Sequence, residues 1–75
     1  MQILRHIGPR TSVMAEKISM KEAKKILLDI AKDHPKGEWK NGKWQGAGFY
    51  KDGKVLTINY LNHPFIQYEI LEDNN

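Results

Sequence analysis

Two dipeptides, Asn41-Gly42 and Asp52-Gly53, constrain the fold of this chain more than any other feature. Both central positions of a type I′ turn need positive φ, which Gly adopts freely and Asn and Asp tolerate. A two-residue turn also sets the strand register on either side of it. The first turn pairs Lys40 with Lys43 and Trp39 with Trp44. The second pairs Lys51 with Lys54, Tyr50 with Val55 and Phe49 with Leu56. A three-residue loop at Asn62-His63-Pro64 then opposes Tyr60 to Ile66, Ile58 to Tyr68 and Leu56 to Ile70.

Successive side chains in a strand point to opposite faces, so this register sorts the residues. Ala47, Phe49, Leu56, Ile58, Tyr60, Ile66, Tyr68 and Ile70 share one face, and it is almost wholly apolar. That face is the expected core. The other face carries Trp39, Trp44, Gly46, Gly48, Tyr50, Val55, Thr57, Asn59, Leu61, Gln67 and Glu69.

A helix supplies the cover. Ser19 is a good N-cap with Glu22 three residues on, the spacing of a capping box. Met20, Ala23, Ile26, Leu27, Ile30 and Ala31 form a one-sided apolar stripe, while Lys21, Lys24, Lys25, Asp29 and Lys32 fall largely off it. Pro35 disfavours helical geometry at His34, and Gly37 follows, so the helix ends there. The expected fold is therefore α+β: one amphipathic helix on an antiparallel three- to four-stranded β-meander, with residues 19–71 as the single domain.

Residues 1–18 read in two ways. Ile3, Arg5 and Ile7 alternate with Leu4 and His6 and permit a short strand ended by Gly8-Pro9. Met14-Ala15-Glu16-Lys17 has the form of an independent start of translation, which makes the preceding stretch a partly disordered extension. Residues 72–75 are expected to fray.

Composition bounds the class. Seventy-five residues make one small domain, and 40% hydrophobic with 28% charged residues is an ordinary globular balance rather than a disordered one. There is no cysteine, so neither a disulfide nor a thiolate metal site contributes. So small a core leaves a homodimer or a bound partner as the expected source of added stability. No apolar run approaches the roughly 20 residues that span a bilayer, so membrane insertion is not expected and a cytoplasmic location is.

The second sheet face is unusual, because a solvated face is normally polar. One reading makes Trp39 and Trp44 a cross-strand pair that covers the glycines and stabilises the hairpin. The other makes the face a recognition surface, since Trp and Tyr are enriched at interface hot spots. Gly37-Glu38-Trp39-Lys40-Asn41-Gly42-Lys43, followed by Gly46, Gly48, Tyr50 and Gly53, resembles one copy of the MORN repeat. Members of that family string many such hairpins together and are linked to membrane-proximal scaffolding and protein contacts. The likeness covers residues 37–53 in a single copy, beside a helix the repeat lacks, and implies hairpin geometry alone.

The expected function is a non-enzymatic interaction module with a protein partner. Trp39, Trp44 and Tyr50 anchor the surface, and Lys40, Lys43 and Lys54 steer an acidic partner at its rim. The alternative is nucleic-acid binding, in which Lys36, Lys40, Lys43, Lys51 and Lys54 meet phosphates beside stacking aromatics. Catalysis is not expected. His6, His34 and His63 lie in separate segments without ligand spacing, and Ser12 and Ser19 have no local base. No metal or cofactor is expected either.

Overall fold

A computed structural model describes residues 1–60 and 63–72. Strands β1 (Gln2–Ile7) and β2 (Arg10–Glu16) come first, then helix α1 (Met20–Ala31). Strands β3 (Glu38–Lys40), β4 (Lys43–Tyr50), β5 (Val55–Asn59) and β6 (Ile66–Leu71) follow. They form one antiparallel sheet in the order β2-β1-β6-β5-β4-β3. Six strands replace the three- to four-stranded meander read from the sequence. The difference arises at the N-terminus, where Gly8-Pro9 turns β1 back into β2 and β1 then pairs along β6, Ile3 opposite Ile70. The stretch read as an optional extension thus lies inside the sheet, and Ile3 is fully buried.

Ser19 caps α1 from an extended conformation (φ −78°, ψ 163°), its hydroxyl accepting from the Glu22 amide at 3.1 Å. The Glu22 carboxylate returns to that hydroxyl at 3.4 Å rather than to the Ser19 amide, so the capping box closes only in part. At the other end the Asp33 and His34 amides donate to Ile30 and Ala31, tightening the last turn before Pro35. Ala23 and Leu27 are fully buried in one cluster with Ile3, Leu56, Ile58, Tyr68 and Ile70. Among the described residues no helix is long and apolar enough to cross a membrane.

Both glycine turns form where expected, but the expected Lys51–Lys54 pair does not join the ladder, which ends at Tyr50 opposite Val55, and Lys51 itself takes φ of 51°. Asn41 and Gly42 take φ of 51° and 77°, Asp52 and Gly53 take 56° and 81°, and the Lys54 amide donates to the Lys51 carbonyl at 3.1 Å. The registers they dictate hold: Trp39 faces Trp44, Phe49 faces Leu56, and Tyr50 faces Val55. The third connection is longer than three residues. Ile58 opposes Ile66 rather than Tyr68, and Leu56 opposes Tyr68 rather than Ile70. A slip of two residues preserves side-chain parity, so the faces survive the error. Asn62 and Leu61 lie outside the described residues, as do residues 73–75 of the expected tail. Glu72 is held by Lys54 at 3.1 Å.

Phe49 departs from expectation. It is 38% exposed rather than lodged beneath the helix. Insertion of β1 moves the middle of the sheet away from β4. A helix about 10 Å wide reaches across about three strands spaced near 4.8 Å, and the buried face of α1 shares its cluster with β1, β5 and β6. Val55, on the opposite face between Tyr50 and Glu69 in register, is buried instead.

Candidate functional site

The β3–β4 hairpin presents its aromatics unequally. β3 is exposed throughout, and Trp39 is 74% accessible. Trp44, directly opposite it, is half-buried. Its indole lies across Gly37 and Gly48, and a Cβ built on Gly48 meets the ring carbon Cζ2 at 2.6 Å. The glycines therefore form a bed that only a bare backbone permits. Trp44 follows the glycine-covering reading, whereas Trp39 stays free.

The chain reaches this hairpin by crossing the edge of β4. The Ala47 amide donates to the Pro35 carbonyl at 2.8 Å, and the Gly37 amide donates to Ala47 at 2.9 Å. Gly46 makes the crossing with φ of 115°, and a side chain there would meet the Lys36 carbonyl at 2.6 Å. Residues 35–37 end this contact at Ala47. Beyond it Gly48, Phe49 and Tyr50 pair with Thr57, Leu56 and Val55 on one side and, among the described residues, with no strand on the other.

A groove of about 560 Å³ opens along that free edge, lined by Lys32, Lys36, Trp44, Gly48, Phe49 and Tyr50 among others. Phe49 and Tyr50 are 38% and 49% accessible there. Trp44 and Tyr50 from the expected anchor set thus share one groove, with Trp39 on the neighbouring strand. Lys40 and Lys43 flank the Asn41-Gly42 tip, and Lys40 is already held by Glu38 at 3.2 Å. Lys54 does not join them. It stands at the opposite end of β4, at the other turn, and its ammonium binds Glu72. The cations that line the groove with the aromatics are Lys32 and Lys36. Lys32 is the C-cap of the helix, and no local spacing connects it with β4.

The three histidines, separate in sequence, fall into two groups. His34, at the helix end, shares a 3.1 Å hydrogen bond with Tyr60, and His63 stacks near the same ring with centroids 4.3 Å apart. The His63 Nδ1–H donates to the Pro64 carbonyl at 2.7 Å. His6 bridges Thr11 at 2.9 Å and Glu69 at 3.2 Å, tying β2, β1 and β6 together on the outer face. Among the described residues no cluster of three or more His, Cys, Asp or Glu side chains is placed to hold a metal ion. No family model, curated protein or solved structure matches this chain.

Proposed function

We propose that the chain is a non-enzymatic interaction module that takes an extended protein segment into the groove along β4. The observation that carries this reading is the conjunction of exposed aromatics with a strand edge that lacks a partner. Trp39, Phe49 and Tyr50 are each more than a third accessible, and the Gly48–Tyr50 backbone is unpaired on its outer side among the described strands. Strand addition to such an edge derives affinity from main-chain hydrogen bonds and specificity from pockets for alternate side chains. Trp44 on its glycine bed supplies a rigid floor. Lys36, which no carboxylate holds among the described residues, favours an acidic segment, and Lys32, 3.5 Å from Asp29, stands beside it.

Nucleic-acid binding is the second reading, and the same two lysines beside Phe49 and Tyr50 support it. One experiment separates the two. Peptides selected from a displayed random library are measured against the wild-type chain and the Trp39→Ala/Tyr50→Ala variant, in parallel with a single-stranded oligonucleotide across a salt series. The protein-binding reading expects acidic peptides that lose about tenfold or more in affinity on the double substitution, the scale of an aromatic hot spot. Equal affinity for both forms rejects it. Oligonucleotide binding that weakens steeply with salt and needs the two aromatics favours the second reading.

A further inference from the structure

The chain has two arginines, Arg5 and Arg10. The sheet register puts both on one face. Arg5 opposes Ser12 and Arg10 opposes Ile7 in the β1–β2 ladder, so the two arginines are diagonal neighbours across adjacent strands. Diagonal side chains of that length are within reach of one another. The face is the one that carries Ile3, but the β2 residue packed against the core cluster is Ala15, opposite Ile3 at the far end of the strand from Arg10. Arg5 and Arg10 are both exposed, and with Ile7, Thr11 and Ser12 they line a groove of about 510 Å³.

Neither guanidinium has an ion-pair or side-chain hydrogen-bond partner among the described residues. Three lysines, by contrast, are each held by a carboxylate: Lys32 by Asp29, Lys40 by Glu38 and Lys54 by Glu72. Two like charges side by side without a counter-charge repel, and an anion between them turns that repulsion into attraction. Guanidinium is also the cation whose planar fork matches the oxygens of phosphate two at a time.

We propose that Arg5 and Arg10, assisted by the Ser12 hydroxyl, form a binding site for a phosphate-type oxyanion. The two positive charges match a phosphate monoester, which carries about −1.5 to −2 at neutral pH. The site lies at the β2 edge of the sheet, opposite the β3–β4 edge that holds the aromatic groove. It therefore stands or falls independently of the function proposed above. Because the groove is open to solvent, binding is weak and weakens further as salt is added.

The test is an NMR titration at constant ionic strength with inorganic phosphate, with phosphoserine as the monoester arm, and with chloride as control. Both phosphate ligands are expected to move the amide signals of Arg5, Arg10, Thr11 and Ser12 and the arginine Nε–H signals, and chloride to leave them in place. Free phosphate moving them alone assigns the site to the inorganic ion, whereas a tighter phosphoserine response assigns it to a monoester. Arg10→Gln and Arg5→Gln should each weaken binding about tenfold, and Arg10→Lys, which keeps the charge and loses the fork, by less. Should Arg5→Gln fail to fold, the Arg10 pair of variants decides alone. Shifts spread over the lysine-bearing turns, or an affinity that survives Arg10→Gln, overturn the proposal.

Discussion

Trp44 rests on Gly48, four residues along on the same face of β4, with a hypothetical Gly48 Cβ only 2.6 Å from the indole carbon Cζ2. Such a contact leaves no space for a methyl group. The Gly48→Ala variant should lose about 1–3 kcal/mol, the usual cost of overpacking. In a Trp44→Leu background the same substitution should cost much less, because the ring it strikes is gone. A double-mutant cycle by thermal or urea unfolding measures that coupling. Additive losses would show that the indole can move aside freely.

The N-terminal strand is structural. Ile3 has no accessible surface and belongs to the cluster that α1 covers. Ile3→Ala should cost about 2–5 kcal/mol, as truncation of a fully buried aliphatic side chain does. Chemical denaturation reads the loss directly. A change below about 0.5 kcal/mol, the level of ordinary surface substitutions, would place β1 outside the cooperative core.

Leu27→Ala and Phe49→Ala should behave differently although both side chains are large and apolar. Leu27 is fully buried and Phe49 is 38% accessible. The first should cost about 2–5 kcal/mol. The second removes a side chain that is already partly in water, and should cost about 1–2 kcal/mol because the loss scales with buried apolar area. Comparison of urea midpoints, with the slope checked for constancy, ranks the two. A Phe49 loss equal to that of Leu27 contradicts this placement of the helix.

The Tyr60 hydroxyl is the polar hinge between the helix end and the β5–β6 connection, through its 3.1 Å bond to His34. Tyr60→Phe keeps the ring stacked near His63 and deletes the bond alone. A loss of about 0.5–1.5 kcal/mol is expected, the net worth of one partly buried hydrogen bond. Exchange of the His34 amide, which donates to Ala31 at the last helical turn, should quicken at the same time.

The two glycine turns were legible from local chemistry, since positive φ at four positions allows few residue types. From them came the pairing of Trp39 with Trp44 and of Phe49 with Leu56, and the parity that puts Leu56 and Ile58 on the helix side. The Ser19 cap and the Ala23–Leu27 stripe were equally local. The third connection differs by two residues from the expected loop because the sequence Asn62-His63-Pro64 offers no Asn-Gly or Asp-Gly pair to fix its length. Even so, parity protected the face assignment.

Local signals could not place β1 beside β6. Ile3 meets Ile70 across nearly the whole chain, and nothing near either residue encodes that pairing. This long-range contact decides which strands lie beneath α1, and hence why Phe49 is left in the open. It is likewise tertiary structure that brings Lys32 and Lys36 to the aromatics, separates Lys54 from them, and gathers His34, Tyr60 and His63 at one end of the core. Turn and cap geometry depends on a few adjacent φ, ψ and side-chain choices, so a sequence states it outright. Surfaces are assembled by burial of the most apolar area at once, and that sum exists only when the whole sheet is in place.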